Sequence, residues 1–227
     1  MRTDPVKGLE IRQSPALESS AQRAVEHLER SSAGEHSLSG HEANRFFYND
    51  RGRRFFDLSG LSGMDHEGDG RSVVLWDYDR DGWTDVATVN ANAPQLVCYR
   101  NGLQEEAVAS WVALRAVGGN WTPAPVPGLA CRDGYGAMAR IEAGGRVLVR
   151  EWRCGEGFAA QNSRTLLVGL GSARQADRVT VTWPSGLRQE MGPVAAGRLV
   201  TVYEDPRQAP DGAVFVEEEY RRGGAGE

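Results

Sequence analysis

The sequence predicts a mainly β protein, with one N-terminal α-helix, a small antiparallel unit and then a small antiparallel β-sandwich or barrel domain. Three observations favour this class. Glycine is abundant, with 28 residues, the apolar stretches are short, and most of these stretches are rich in β-branched or aromatic residues. Such residues fit a pleated, half-buried surface. The chain of 227 residues is long enough for one large domain or two small ones.

The N-terminal part is predicted to be a disordered leader over residues 1–13 and an amphipathic helix over residues 14–34. Ser14 can cap the helix, and Pro15 suits its first position. Gly34 suits a left-handed C-cap. We expect the helix to dock on the body of the protein, and binding to a partner is the alternative. One apolar stripe recurs at helical spacing and consists of Leu17, Ala21, Ala24, Val25 and Leu28.

The most informative stretch is the loop of residues 77–85, D-Y-D-R-D-G-W-T-D. Its alternating carboxylates repel one another and converge only around a cation, and hard oxygen ligands favour Ca²⁺. Gly82 permits the sharp turn after the third carboxylate. β-branched and apolar runs at 72–76 and 86–89 flank the loop, so we predict a strand–loop–strand calcium site with a structural ion. The predicted ligands are Asp77, Asp79, Asp81, the carbonyl of Trp83 and Asp85.

Residues 44–102 surround this loop with other short motifs. We predict an aromatic hairpin at 44–58 with its turn at Arg51-Gly52, a glycine-rich loop at 60–70 and a closing strand at 95–102. The motifs F-Y-N-D-x-G-x-x-F-x-D, G-D-G-R, W-D-Y-D-x-D-G-x-x-D and L-x-C-Y-R-N, in this order, resemble an FG-GAP/VCBS-type repeat. That resemblance implies one blade-like unit of a calcium-binding β-propeller. One repeat cannot close a propeller, which needs roughly 4–8 blades.

A single blade-like unit leaves open sheet edges, and open edges pair with other strands unless they are blocked. Two arrangements would block them: coverage by the helix of residues 14–34, or dimerisation through residues 44–102. We favour coverage by the helix, with a homo-oligomer through open sheet edges as the alternative.

The second half of the chain is predicted to form antiparallel strands joined by tight turns. Gly144-Gly145 suits a two-residue hairpin turn, because both glycines accept positive φ, and Pro184-Ser185-Gly186 suits a second turn. In the first hairpin the core face is expected to carry Ala139, Ile141, Leu148 and Trp152. The predicted strands are 110–117, 136–143, 146–154, 166–171, 178–183 and 187–191.

Residues 108–205 resemble the ASPIC/UnbV domain. The resemblance rests on R-D-G-Y-G-A at 132–137, the Gly-Gly hairpin, G-x-G-F-x-x-Q-N-S, G-L-G and D-R-V-x-V-x-W-P-S-G, which occur in order. Domains of this family follow FG-GAP propellers in cartilage acidic protein and in many bacterial proteins. The family has no well-defined biochemical role, so the resemblance implies a fold and a metal more than an activity. The insert at 120–128 departs from the family pattern, and residues 206–227 are expected to be a C-terminal tail.

Two functions stay open at this point. The first is a calcium-stabilised binding or scaffold module that presents its loops to a protein, glycan or small-molecule ligand. The second is a metal-dependent enzyme of a bacterial natural-product biosynthetic pathway, in which a metal-bound water and a nearby acid or base would do the chemistry. The candidate catalytic residues are His66, Glu67, Asp133 and Tyr135. Each also has a structural interpretation: His66 in a solvated loop, for example, or Asp133 capping a turn.

Composition argues against several other classes. The net charge is −5 and no basic cluster is dense, so nucleic-acid binding is not expected. No apolar run reaches about 18 residues, so we expect no membrane span. The N-terminus lacks an apolar signal core, so we expect a cytoplasmic protein as written, or an extracellular one if the chain is a mature or trimmed form. Cys98, Cys131 and Cys154 lack metal-binding spacing and are expected to be reduced thiols, with a Cys131–Cys154 bridge as the alternative.

Overall fold

The computed structural model describes residue 25, residues 42–102 and residues 110–220, and within these ranges the fold is mainly β. The predicted leader at 1–13 lies outside the described residues. So does the predicted helix at 14–34, apart from Val25, whose backbone is helical, and that helix therefore stays a prediction. None of the helices in the described part of the chain combines the length and the apolar character that a membrane span needs.

Fifteen strands and one short α-helix follow one another in the described chain. In order they are β1 (Phe47–Asn49), β2 (Phe55–Asp57), α1 (Ser59–Ser62), β3 (Gly70–Trp76), β4 (Asp85–Asn90), β5 (Leu96–Tyr99), β6 (Ser110–Val117), β7 (Met138–Ala143), β8 (Arg146–Glu151), β9 (Thr165–Gly171), β10 (Gln175–Ala176), β11 (Arg178–Thr182), β12 (Arg188–Met191), β13 (Val194–Ala195), β14 (Arg198–Tyr203) and β15 (Phe215–Glu219).

The described chain divides into two compact units, of which the first holds residues 42–70 and 90–96 and the second holds residues 71–89, 97–102 and 110–220. In the first unit β1 and β2 form the predicted aromatic hairpin, with Tyr48 opposite Phe56. The predicted turn is present, because Arg51 and Gly52 both have positive φ. The glycine-rich stretch at 60–70 is not wholly a loop, since α1 (Ser59–Ser62) covers its first residues and Gly63 caps this helix in the left-handed conformation.

The Asp-rich loop lies between β3 and β4, in a three-stranded sheet ordered β3-β4-β5. The strands predicted at 72–76 and 86–89 are therefore confirmed, each slightly longer than expected. The closing strand predicted at 95–102 is present as the shorter β5. The loop is thus supported by regular backbone on both sides, as a strand–loop–strand site requires.

Two four-stranded sheets form the larger part of the second unit, in the orders β12-β11-β7-β8 and β15-β14-β6-β9. Side chains of both sheets share one apolar core, which agrees with the predicted sandwich. One pairing differs from the prediction, because β6 and β14 run parallel. A parallel pair needs a crossover connection, and here the chain builds β7 to β13 between the two strands.

The β7–β8 hairpin has the predicted register, with Ile141 opposite Leu148 across Gly144 and Gly145. Both glycines have positive φ. The predicted core face is confirmed by burial, since Ala139, Ile141 and Trp152 are at most 1% exposed and Leu148 packs against the same core. Alternating inward and outward side chains therefore set which face of this hairpin meets the other sheet.

Residues 206–227, expected to be a C-terminal tail, contain a strand in their described part. After a single 3₁₀ turn at Pro206–Gln208, β15 pairs antiparallel with β14 at the edge of its sheet. Phe215 packs against the core from this strand. The folded second unit therefore extends through Tyr220.

A buried carboxylate fixes the loop that carries the insert at 120–128. Glu204 is 3% exposed, and its Oε2 accepts hydrogen bonds from the backbone N–H groups of Gly119 (2.9 Å) and Ala130 (2.7 Å). Its Oε1 accepts a hydrogen bond from the Ser185 hydroxyl at 2.7 Å. A buried charge is tolerated when several donors satisfy it, so Glu204 joins both ends of the insert loop to the turn after β11.

Candidate metal centre

The loop of residues 77–85 curls around the carboxylate of its first residue. Asp77 Oδ1 accepts a hydrogen bond from Asp81 N at 3.1 Å, and Asp77 Oδ2 accepts one from Gly82 N at 2.9 Å. Arg80 and Gly82 have φ of +56° and +89°, which turn the chain back toward Asp77. The alternating Asp residues of this curled loop therefore face a common centre. In a regular strand they would point in parallel from one face and would not converge.

Three of the predicted ligands converge in this loop. Asp77, Asp79 and Asp85 each offer one carboxylate oxygen, and these oxygens all lie within 4.8 Å of one another. Calcium–oxygen bonds measure about 2.3–2.6 Å, so ligands on opposite sides of one ion are about 5 Å apart. One calcium ion could therefore touch all three oxygens.

Asp81, the fourth predicted carboxylate, is not one of these three groups. Its side chain is 2% exposed, and its Oδ1 accepts a hydrogen bond from Trp83 N at 2.8 Å. Its Oδ2 is buried and has no hydrogen-bond partner among the described residues. Asp79 Oδ1 is buried and unpartnered in the same way. A buried acceptor left unsatisfied costs about 1–3 kcal/mol, and more when it is charged, so two such oxygens in one loop fit a cation. Direct ligation by Asp81 and by the Trp83 carbonyl stays a prediction.

Asp85 is a buried carboxylate of the loop that backbone groups hold in place. It is 2% exposed, its Oδ2 accepts a hydrogen bond from Tyr78 N at 3.1 Å, and its Oδ1 accepts one from Asn101 N at 2.8 Å. Each oxygen retains a second lone pair that can face a metal. Asp85 is therefore positioned before any ion arrives, by backbone groups on both sides of it.

Arg100 provides the nearest positive charge. Its Nε lies 3.2 Å from Asp79 Oδ2, and its Nη2 lies 3.8 Å from Asp81 Oδ2. Sequence analysis missed Arg100 and Asn101, because both follow β5 and lie many residues beyond the Asp-rich loop. Arg100 offsets part of the negative charge of the loop's carboxylates. Asp79 Oδ1 and Asp81 Oδ2 still have no hydrogen-bond partner among the described residues.

Burial raises the pKa of Asp77 and of Asp81, because it disfavours the ionised form. Nearby carboxylates act in the same direction: Asp81 raises the pKa of Asp77, and Asp79 and Asp85 raise the pKa of Asp81. Hydrogen bonds from backbone N–H groups lower both values in part. The loop therefore holds more negative charge than its own groups can stabilise, and a divalent cation would relieve this.

The glycine-rich turn before β7 lies in the part of the chain that matches a known family. Gly134 and Gly136 have positive φ, and a Cβ on Gly134 would lie 2.5 Å from the Ala116 Cβ. Residues 129–209 match the family model described as ASPIC and UnbV. This match confirms the resemblance to the ASPIC/UnbV domain for most of the domain predicted at 108–205. The matched residues do not include the Asp-rich loop. No curated protein matches the chain.

Two catalytic candidates lie in the ASPIC/UnbV domain, where Asp133 is paired with arginines and Tyr135 packs against the apolar core. Asp133 forms ion pairs with Arg132 and Arg164, and these hydrogen bonds lower the pKa of its carboxyl group. Burial, with the charge of Asp133, raises the pKa of Tyr135, so its hydroxyl stays protonated at neutral pH. Asp133 thus has the environment of a paired anion, and its role as a general base stays a prediction.

The other two candidates lie in the first unit. His66 Nδ1 accepts a hydrogen bond from Gly68 N at 2.9 Å, which closes the turn that contains the histidine. Glu67 is exposed. These contacts suit a solvated loop, and a catalytic role for either residue stays a prediction.

The three cysteines Cys98, Cys131 and Cys154 are free and exposed. The free-thiol expectation therefore agrees with the structure, and the alternative Cys131–Cys154 bridge is not formed in it.

Proposed function

We propose that the protein is a calcium-binding β-rich binding or scaffold module, with one structural Ca²⁺ in the loop of residues 77–85. The convergence of Asp77, Asp79 and Asp85 supports the site. The observation that carries it is Oδ2 of Asp81. This oxygen is buried, no donor among the described residues hydrogen-bonds to it, and the Arg100 guanidinium lies 3.8 Å away.

Calcium fits this loop better than magnesium. The donors are carboxylate oxygens that span up to 4.8 Å, on an irregular loop with two left-handed residues. Magnesium demands near-ideal octahedral geometry at about 2.0–2.1 Å and keeps several waters, whereas calcium accepts six to eight oxygens in flexible arrangements. Hydrated ends of the loop would supply the remaining ligands.

The proposed role of the ion is to hold the loop between β3 and β4 in one conformation. A cation that binds only the folded loop stabilises the whole unit by mass action. We further propose that residues 44–102 are an FG-GAP/VCBS-type repeat. The order of an aromatic hairpin, a glycine-rich stretch and a strand–loop–strand acidic site supports this interpretation.

The aromatic hairpin supports the binding-module interpretation within the first unit. Phe47, Tyr48, Phe55 and Phe56 are all at least 40% exposed, and they lie on both faces of a two-stranded sheet. A two-stranded hairpin alone is marginally stable in water, so such a hairpin gains from a partner on its apolar faces or open edges. Coverage by the predicted helix of residues 14–34 remains the favoured arrangement, and a second copy of the chain is the alternative partner. Sedimentation velocity of the wild type and of Phe55→Ser tests this: a dimer that the variant weakens supports it, and two monomers contradict it.

Asp79→Asn gives the cleanest test of the calcium site. Asp77 and Asp85 also accept backbone hydrogen bonds that shape the loop, whereas the Asp79 carboxylate pairs with the exposed side chain of Arg100. Asp65→Asn, at an exposed carboxylate outside the loop, is the matched control.

The measurement is thermal unfolding in excess Ca²⁺, in excess Mg²⁺ and in chelator. For calcium at 100 times its Kd, the wild type and the Asp65 variant should gain about 2.7 kcal/mol over the chelated form. The Asp79 variant should gain much less. Identical melting of the wild type in calcium and in chelator would rule out a structural calcium site.

A further inference from the structure

Two aromatic side chains from the β-sandwich pack against the Asp-rich loop. Gly82 has a φ of +89°, and a Cβ at this position would lie 2.1 Å from Cε2 and Nε1 of Trp111, which belongs to β6. The indole therefore lies directly on the glycine backbone. Tyr220 follows β15, and its ring meets that of Trp111 edge to face, with centroids 5.0 Å apart.

Tyr220 also reaches the first carboxylate of the loop. The side chains of Asp77 and Tyr220 line one cavity, and hydrogen bonding from Tyr220 opposes the rise in the pKa of Asp77 that burial causes. The Asp77 carboxylate also accepts hydrogen bonds from Asp81 N and Gly82 N. Because both residues are partly buried, this hydrogen bond to a charged acceptor is worth more than one in water.

The end of β15 is tied to the same region by backbone hydrogen bonds. Tyr220 N donates to Gly197 O at 3.2 Å, and Gly197 N donates to Trp111 O at 2.8 Å. Tyr220 is therefore fixed relative to Trp111 both by its ring and by its backbone. A movement of β15 away from β14 would remove Tyr220 from Asp77.

The strand that enters the loop has its own connection to the sandwich. Leu75 N donates to Asn162 Oδ1 at 2.8 Å, and Ser163 N donates to Leu75 O at 3.0 Å. The loop is thus held at its entrance by residues 162–163 and at its turn by Trp111 and Tyr220. The position of its carboxylates depends on the sandwich as well as on the loop itself.

We propose that Tyr220 is a positioning residue of the cation site, so that cation binding by the loop and seating of β15 at the sheet edge stabilise each other. The inference rests on the proposed function, because it needs a cation in the loop. Tyr220 fixes the Asp77 carboxylate in the orientation that ligation requires. By reciprocity, a cation that holds Asp77 in place also holds Tyr220, and with it the end of β15.

Tyr220→Phe separates this role from simple packing, because phenylalanine keeps the ring contact with Trp111 and removes only the hydrogen-bond donor. Tyr203→Phe, which removes a hydroxyl from β14 in the same sheet, is the matched control. Calcium affinity is measured by calorimetric titration of chelator-stripped protein. We expect Tyr220→Phe to weaken calcium binding about fivefold or more and Tyr203→Phe to leave it unchanged.

A second measurement follows strand β15 directly. Hydrogen exchange of the amides of β15 is followed in calcium and in chelator, and calcium should slow exchange there in the wild type and less so in Tyr220→Phe. If the wild type binds no calcium, the proposed function fails and this inference fails with it. If the wild type binds calcium, but Tyr220→Phe binds equally well and β15 exchanges at one rate in both conditions, the coupling is refuted and the calcium site stands.

Discussion

Gly82→Ala tests the packing of the Asp-rich loop on the sandwich. The substitution adds a single methyl group at a position where two separate physical effects oppose it. The backbone φ of +89° is one that side chains other than glycine rarely adopt, and the new Cβ would lie 2.1 Å from two atoms of Trp111. The loop or the indole must therefore move.

The cost follows from these two effects. A residue forced into a sparsely populated backbone region costs about 1–3 kcal/mol. Overpacking against a fixed ring costs about 1–3 kcal/mol more. We therefore expect Gly82→Ala to lower the free energy of unfolding by about 2–6 kcal/mol in chelator, and to weaken calcium binding because Gly82 N donates to Asp77.

Urea unfolding of four proteins separates the two effects: the wild type, Gly82→Ala, Trp111→Ala and the double variant. Removing the indole abolishes the overlap and leaves the backbone strain, so the glycine substitution should cost at least about 1 kcal/mol less in the Trp111→Ala background. An equal cost in both backgrounds, or a cost below about 1 kcal/mol with Trp111 present, would refute the packing described here.

Three further predictions concern single residues. Glu204→Ala should lower the free energy of unfolding by about 3 kcal/mol or more, because it leaves buried N–H groups without an acceptor. Glu204→Gln keeps an acceptor and should lower it by only about 1 kcal/mol. Equal losses of the two variants in urea unfolding would contradict this. Arg100→Met should tighten calcium binding several-fold at low salt, because it removes a positive charge beside Asp79, and the gain should shrink in high salt; unchanged affinity in calorimetry would contradict this. The folded pKa of Asp133 lies below its ordinary value of 3.8, so the stability that its ionised carboxylate contributes is present above pH 3.8 and is lost as the pH falls through the folded pKa. The difference in unfolding free energy between the wild type and Asp133→Asn should therefore vanish in acid. A difference that persists in acid would show that the carboxylate charge does not cause it.

The features predicted correctly are those whose signals lie close together in the chain. The strands around the Asp-rich loop, the aromatic hairpin and the β7–β8 hairpin are each encoded within a few residues of apolar alternation and one turn. The convergence of Asp77, Asp79 and Asp85 follows from spacing in a single loop. Local repulsion and turn chemistry are enough to specify such elements.

The features missed depend on residues far apart in the chain. The parallel pairing of β6 with β14 places Ala113 opposite Leu199, far apart in the chain, and no local sequence pattern indicates it. Strand β15 contains three successive glutamates, Glu217 to Glu219. This charged composition does not predict a strand, although β15 pairs at a sheet edge. Tyr220 meets Asp77 only because β15 returns to the sheet, which the sequence does not indicate locally.

The most direct measurement is calorimetric titration of chelator-stripped protein with Ca²⁺, followed by Mg²⁺ under the same conditions. The proposed site predicts saturable calcium binding at one ion per chain, weaker magnesium binding, and loss of the calcium heat in Asp79→Asn but not in Asp65→Asn. No saturable calcium binding by the wild type, or equal binding by both variants, would contradict a calcium ion in the loop of residues 77–85.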